Sequence, residues 1–366
     1  MTGAGRVTIG VDVGTSGCKA VVLASGGEVL HTANGTYPTR RGLDGEVTQR
    51  PDDWLEAVRS VLTECAGAAG QRTVAGLSIT SPAHAAVLCD AEGEALAPSL
   101  LAFDARPAAI AESLRKSYGE TFERATFVHL TAAWTLPQLA WLRAEMPELF
   151  GRLDRLLTKK DLIRYRLTGM AVMDESDAAG TAMVDQRSMS WIDDVCTDVG
   201  LRPGQLPPIV PSTAPAGRLT REWAEATGLP EGIPFIAGAT DTATELVSVG
   251  ASAAGSSLVK IASTGTVVGV TDEPVVDRRC MTYPHALPGR WYTIASTNTA
   301  TVAYQWLREH VFAAEPATPS ETYVEMNRRA ARVPAGAEGL LFLPFLNGER
   351  TPWWDPDLRA TFLGLA

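Results

Sequence analysis

No run of apolar residues is long enough to span a bilayer, and no basic-then-apolar leader precedes the first strand pattern, so neither membrane insertion nor secretion is expected. Cysteine pairing is missing as well. Cys18, Cys65, Cys89, Cys196 and Cys280 are scattered, odd in number and free of CxxC spacing, and they read as reduced, mostly buried thiols of a cytoplasmic protein. Basic charge is in deficit. With 32 Lys and Arg against 42 Asp and Glu, the formal net charge is -10, which argues against a nucleic-acid surface built on clustered cations. An anionic small ligand stays open, because local amides and a metal, rather than global charge, would bind it. Low-complexity tracts are absent too, and 45% hydrophobic with 20% charged residues is a globular composition. A chain of 366 residues exceeds one comfortable core, so two domains are expected.

What is present begins with Arg6 to Leu23, RVTIGVDVGTSGCKAVVL. Val7, Ile9, Val11 and Val13 alternate as in a strand with one buried face, and Cys18, Ala20 and Val22 resume the alternation after a turn. Glycines in Gly14-Thr15-Ser16-Gly17 let backbone amides approach an anion, and the hydroxyls add donors, so this turn can cradle a phosphate without a helix dipole. Asp12, at the strand end, would face the same point and could hold a magnesium ion directly or through water. The plain alternative is an ordinary hairpin whose small residues serve only a tight turn. A second copy favours the phosphate reading: Leu258 to Val270, LVKIASTGTVVGV, repeats strand, turn Ser263-Thr264-Gly265-Thr266, strand.

Between the two copies, Val29 to Thr36 extends the first hairpin into a meander, and Pro51-Asp52-Asp53 opens a helix with Trp54, Val58, Val61 and Leu62 on its apolar face. Val74 to Ile79 is a short strand that delivers Ser81 and His84 to its carboxyl end, the edge where α/β sheets hold ligands. His84 reads equally as a turn histidine bonded to a carbonyl. Ala86 to Cys89 and Ala95 to Ala97 read as a hairpin. Asp104 and Arg106 could bond sugar hydroxyls or pair with each other, the pair being the commoner outcome. Leu136 to Met146 and Asp161 to Leu167 read as helices, the second closed by Gly169. The acidic run Asp174 to Thr181, DESDAAGT, reads first as a capped and packed turn and second as a metal site. Ile233 to Ala237 makes a buried strand, and Gly238-Ala239-Thr240 leads into a helix beginning at Asp241. A carboxylate there is either a helix cap or a base able to reach a substrate hydroxyl, and the position allows both. Thr297 to Phe312 and Tyr323 to Arg332 read as helices and Leu340 to Pro344 as a strand. Glu349 and Arg350 read as an internal ion pair, with Trp353 and Trp354 as packing.

In this order, GVDVGTSGCKAVVL, DESDAAGT, GATDT, STGT and FLPFLNGERTPWWDPDLRATFLGL resemble blocks of the FGGY carbohydrate kinases, and the xylulokinase-like branch most closely. The resemblance implies an α/β fold of the actin/hexokinase type, a pair of ribonuclease H-like domains, and ATP-dependent phosphorylation of a hydroxyl on a ketopentose or related sugar or polyol. Residues 1–250 would carry the sugar site and first phosphate turn, and residues 251–366 a partial nucleotide-binding domain. By the same resemblance Asp241 is the catalytic base and Asp12 lies near Mg2+. Gly14, Thr15, Ser16 and Lys19 belong to the first phosphate site and Gly265 and Thr266 to the second. Ser81, His84, Asp104, Arg106 and Asp241 lie at the sugar. The family's Q-M-H-G block reads Pro82-Ala83-His84-Ala85 here, Thr242 follows the base, and Phe103 precedes Asp104, which leaves the particular sugar open. Family members continue through a Gly-Gly-x-Ala/Ser block that holds adenine and ribose, so the chain is expected to be C-terminally truncated or completed by a partner. A homodimer is compatible with this reading. The alternative is a catalytically impaired, kinase-derived sugar sensor.

Overall fold

Along β1 (Arg6–Val13) the side chains of Val7, Ile9, Val11 and Val13 are buried while Arg6, Thr8 and Asp12 are exposed, the period-2 burial expected of a strand with one packed face. The computed structural model describes residues 5–312, 319–355 and 357–365. Residues 1–4, on which the expectation about a leader partly rests, lie outside the described residues. β2 (Gly17–Ala24) returns antiparallel with Val13 opposite Cys18 and Asp12 opposite Lys19, and β3 (Val29–Thr36) completes the meander. Gly17 is required there: a Cβ would sit 2.3 Å from the Gly35 carbonyl oxygen.

α1 (Pro51–Ala69) starts on proline with Asp52 and Asp53 in its first turn and buries Trp54, Val58, Val61, Leu62 and Cys65 against the meander. β4 (Thr73–Thr80) then runs parallel to β1, with Thr80 beside Asp12, so the turn after β1 and the segment after β4 emerge at one edge. α2 (Lys159–Thr168) ends on Gly169 in the left-handed region at φ +73. The acidic run is not a turn but α3 (Glu175–Gly180), with the Asp174 carboxylate accepting from the Ser176 amide as its N-cap. β5 (Pro215–Arg218) and β6 (Pro234–Ile236) finish a six-stranded sheet of order β5-β6-β4-β1-β2-β3, in which β6, β4 and β1 are parallel. β6 leads through Gly238 into α4 (Asp241–Ser248).

The second half is a four-stranded antiparallel sheet of order β7-β8-β10-β9, formed by β7 (Ser257–Ile261), β8 (Gly265–Thr271), β9 (Met281–Pro284) and β10 (Trp291–Thr297). α5 (Thr301–His310) begins four residues later than the sequence pattern suggested, because Trp291–Thr297 alternates as a strand. α6 (Pro319–Ala330) and a short pair, β11 (Leu341–Leu343) with β12 (Thr361–Leu363), follow. The second hairpin repeats the first, yet its setting differs. β1 lies between β2 and β4, whereas among the described residues β7 pairs with β8 alone and leaves Val259 and Ile261 63% and 74% exposed.

Two cores result. One joins the first sheet to α1, with Phe235 of β6 inside it; the other joins Leu136, Leu139 and Leu246 of the first half to Val268, Val270 and Tyr292 of the second sheet. The hairpin expected at Ala86 to Ala97 is reduced to one strand, Ala86–Cys89. It pairs with Arg155–Thr158 and meets the returning chain at the Cys89–Ala95 bridge, with the Leu96 amide donating to the Leu88 carbonyl at 2.8 Å and the Asp90 amide to the Glu94 carbonyl at 3.0 Å. All five cysteines are free thiols, four of them buried. Among the described residues no helix is long and apolar enough to cross a membrane.

Gly238 sits at φ +77, and a Cβ there would lie 2.3 Å from the Ile79 carbonyl oxygen. Gly238→Ala should therefore destabilise the protein by about 3 kcal/mol. A urea unfolding curve shows this as a lowered midpoint at unchanged slope.

Candidate functional site

One cleft of about 500 Å³ collects the pieces that the sequence separates by more than two hundred residues. Thr15 of the first turn, Thr264 and Thr266 of the second, His84, and Asp241 with its neighbours Thr240 and Thr242 all line it. The parallel β1-β4-β6 arrangement explains the first half of this meeting. The Asp241 amide donates to the Ser81 carbonyl at 3.0 Å, and Ser81 and Thr240 form a parallel bridge just beyond β4 and β6.

Each turn is held differently. In the first, the Gly14 amide closes on the Gly17 carbonyl at 2.9 Å, and Tyr37 Oη donates to the Gly14 carbonyl at 2.6 Å. In the second, the start of α5 donates back: Ala300 N to the Ser263 carbonyl at 2.9 Å and Thr301 N to the Ala262 carbonyl at 3.0 Å. Gly265 opens β8, where a Cβ would meet the Thr297 methyl at 2.8 Å. Lys19 is exposed on β2 opposite Asp12 and does not line the cleft.

Asp241 is the first residue of α4 and is half-buried, its Oδ1 accepting the Thr242 amide at 2.7 Å. Burial raises its pKa above the ordinary carboxylate value, and Glu245 adds to the rise against the Thr242 amide and Lys260. Asp12 is raised by burial too, then by repulsion from Asp241 and Glu245, with Lys159 and Lys260 opposing. The Lys159 ammonium is pushed down to about 7 by burial, against the pull of Asp12 and Asp241.

His84 takes the carbonyl expected of a turn histidine, its Nδ1 lying 2.7 Å from the Gly180 carbonyl oxygen. That acceptor places the proton on Nδ1, leaving Nε2 as an acceptor, and the ring lines the cleft edge-on to Trp134 at 4.5 Å. Burial holds its pKa down to about 4, so the ring is neutral. Asp104 and Arg106 take the other branch of their alternative. Arg106 Nη2 and Nε reach the two Asp104 oxygens at 2.7 and 2.9 Å, the Val47 amide adds a third bond at 2.9 Å, and Arg106 stacks on Trp141. Neither lines the cleft, whereas Ala102 and Phe103 beside them do. Ser81 is fully buried, its Oγ bonded to the Pro82 carbonyl at 3.2 Å, and it also stands back from the cleft.

Sequence reasoning missed the aromatic wall. Trp134 stacks on Tyr283 at 6.0 Å and Tyr283 on Tyr292 at 5.5 Å, so one ladder crosses from the first half to the second. The Glu349–Arg350 ion pair is corrected. Glu349 accepts the Thr297 hydroxyl at 2.6 Å and the Asn298 and Arg350 amides at 2.9 and 2.7 Å, so Arg350 is left to line the cleft with no hydrogen-bond partner at Nε among the described residues. Trp353 packs edge-on to Phe345 at 5.7 Å while remaining 61% exposed, and Trp354 lines the cleft and stacks on His129 at 4.9 Å.

Behind the cleft lies a buried charge cluster. Asp161, Asp174 and Asp177 have ligand geometry for a cation, and the Lys160 ammonium already fills it, 3.0, 2.6 and 3.0 Å from the three carboxylates. Burial opposes that charge, yet the three acids outweigh it and hold Lys160 above its ordinary range. From Asp174 the cluster continues through Ser176, whose Oγ donates to Asp174 at 2.6 Å and accepts the Thr240 amide at 2.9 Å. The residue before Asp241 is thereby fixed.

Two sheets flanking a cleft lined by two glycine-hydroxyl turns and a carboxylate define a phosphotransferase of the actin/hexokinase-like two-domain type. Sequence models of the FGGY family of carbohydrate kinases match residues 7–248 for the N-terminal domain and 258–366 for the C-terminal domain. The chain belongs to the FGGY family of carbohydrate kinases and is an ATP-dependent sugar kinase. It is 28% identical over 364 residues to the xylulose kinase of Bacillus subtilis (strain 168), covering 98% of this chain and 72% of that one, and 27% identical over 365 residues to the gluconokinase of the same organism, covering 98% and 71%. The crystal structure of xylulose kinase from Rhodospirillum rubrum superposes with a TM-score of 0.94 at 28% identity, over 99% of this chain and 73% of that one.

Because the folded-state pKa of His84 lies below the ordinary value of 6.5, the unfolded chain takes up the proton first as pH falls. Its contribution is complete above about pH 6.5 and is lost as the pH falls towards about 4. The stability margin of the parent over His84→Gln should shrink by about 2 kcal/mol between pH 7 and pH 5. Paired chemical denaturation curves measure it.

Proposed function

We propose that this chain transfers the terminal phosphate of ATP to a hydroxyl of a ketopentose or a related sugar or polyol lying in the cleft between residues 1–250 and 251–366. The observation that carries this reading is the single cleft shared by Thr15, Thr264, Thr266 and Asp241. Asp241 accepts the proton of the attacking hydroxyl. Its raised pKa makes it the stronger acceptor, and its place at the start of α4 keeps the carboxylate aimed at the cleft. His84 Nε2 accepts a sugar hydroxyl, and Trp134 and Tyr283 offer ring faces to the apolar side of the sugar. Arg350 faces the transferring phosphoryl group as a cation without a hydrogen-bond partner at Nε among the described residues. Asp104, Arg106 and Ser81 act one step back, bracing the loops that present Phe103 and His84.

The residues around Asp12 fit a magnesium ion. After burial, repulsion from Asp241 and Glu245 raises the pKa of Asp12 and repulsion from Glu245 raises that of Asp241, and a divalent cation relieves that repulsion. When bound, it supplies neutralisation of the polyphosphate charge. The relatives named for xylulose and for gluconate leave the sugar to experiment. Ala83 and Phe103 on the cleft wall favour a substrate with an apolar flank.

Asp241→Asn should lower ADP release about a thousand-fold at saturating ATP, magnesium and sugar. Sugar binding measured by calorimetry should survive in the same variant. Undiminished turnover would remove Asp241 from the chemistry.

A further inference from the structure

Beneath the first turn lies a lysine that no part of the mechanism so far employs. Lys159, the first residue of α2, is 2% exposed, and its ammonium donates to the Gly14 carbonyl at 3.2 Å and to Gln49 Oε1 at 3.0 Å. The Trp54 ring faces it at 4.5 Å and the Tyr37 ring at 5.7 Å. Among the described residues no carboxylate comes within ion-pair distance of it; carbonyls and ring faces hold it, with Asp12 and Asp241 attracting it from farther off.

Its partners extend the pattern. Gln49 Nε2 donates to the Thr15 carbonyl at 2.6 Å and to Thr39 Oγ1 at 2.8 Å, and Trp54 Nε1 fixes the amide by donating to Gln49 Oε1 at 2.9 Å. Tyr37 Oη donates to the Gly14 and Gly17 carbonyls at 2.6 and 3.0 Å. The carbonyls of Gly14, Thr15 and Gly17 are thus all occupied by this buried set. The Thr15 and Ser16 amides, by contrast, have no partner among the described residues; both residues are exposed, and Thr15 lines the cleft. A four-residue turn left to itself presents carbonyls and amides alike; one whose carbonyls are pinned from below presents amides.

We propose that Lys159 is a positioning residue for the nucleotide's polyphosphate: with Gln49 and Tyr37 it holds the carbonyls of Gly14, Thr15 and Gly17 from below, and its ammonium lies under the turn that receives the anion. This rests on the kinase reading and deepens it. Lys159 itself touches neither substrate. A nucleoside di- or triphosphate gains two oriented amides and the field of a desolvated cation, whereas the sugar, on the far side of Asp241, gains nothing from it.

Lys159→Met keeps the stem and removes the charge. Calorimetric titration with ADP, which needs no turnover, should show binding weakened at least tenfold. In steady-state assays the KM for ATP should rise by a similar factor while the KM for the sugar stays within twofold of the parent. A variant that merely loosened the fold would move both KM values together. Tyr37→Phe removes only the hydroxyl and should weaken ADP about threefold, which decides the matter if Lys159→Met fails to fold. Unchanged ADP affinity in a folded Lys159→Met, or in Tyr37→Phe where that decides, overturns the proposal. A parent chain that binds ADP but phosphorylates no sugar overturns the kinase reading and leaves the ADP titration standing as the test of Lys159; a parent chain that does not bind ADP overturns both.

Discussion

The site depends on a cation buried among three acids. Lys160, Asp161, Asp174 and Asp177 are all withdrawn from water, and such charges are tolerable only while each keeps its partners. That requirement locks three pieces of chain that are far apart in sequence. α2 carries Lys160 and Asp161, α3 begins on Asp174, and the turn after β6 is bonded through the Ala237 carbonyl to Arg164 at 3.0 Å. Ser176 passes the constraint to the Thr240 amide, and Asp241 follows by one peptide unit. A hydrophobic filling could stabilise the same space as well. It would not fix the direction of a peptide group, which is what an aimed carboxylate needs.

How much of this could be read beforehand depends on how local the determining forces are. The two glycine-hydroxyl turns were legible as hairpins because glycines, hydroxyls and period-2 strands lie within about fifteen residues of one another. Asp241 was legible because a buried strand, a glycine and a helix start are adjacent in sequence. Partner choice was not. Asp104 chose Arg106 two residues away, as loop acids often do, but Glu349 passed over the Arg350 guanidinium for the Thr297 hydroxyl and the Asn298 and Arg350 amides. No pattern in the neighbourhood of Lys159 points to Gly14 or Gln49, which are brought to it only by the packing of α2 against α1 and the meander. The strand Trp291–Thr297 escaped because threonines and serine fill its polar positions and an apparent helix face follows directly. The aromatic wall escaped with it, since Tyr292 belongs to that strand.

The repeated hairpin is used in two ways. In the first half β1 is central, and its turn is held from beneath by side chains that are themselves buried. In the second half β7 has one neighbour among the described residues, and its turn is held by the backbone at the start of α5. The first turn is therefore anchored in a core, whereas the second is anchored to one helix with no buried side chains. Sequence symmetry between the hairpins does not carry over to equal rigidity, because rigidity is set by what packs behind each turn.

Charge settles the remaining question of how a protein of net charge -10 accepts a polyanion. Asp12, Asp241 and Glu245 stand on one side of the balance around the cleft, and Lys159, Lys260 and Arg350 on the other, with Lys260 paired to Glu245 at 2.5 Å. Burial first, and repulsion from neighbouring acids after it, raises both Asp12 and Asp241, and the carboxylates alone would repel a nucleotide. On the proposed reading, the lysine beneath the turn, an arginine at the cleft wall and a divalent ion near Asp12 would reverse that locally. Within a Debye length of about 8 Å at physiological salt, these near charges outweigh the distant surface acids that set the net charge. On the proposed reading, binding of the polyphosphate is thus governed by a few buried or half-buried charges rather than by the net charge of the chain.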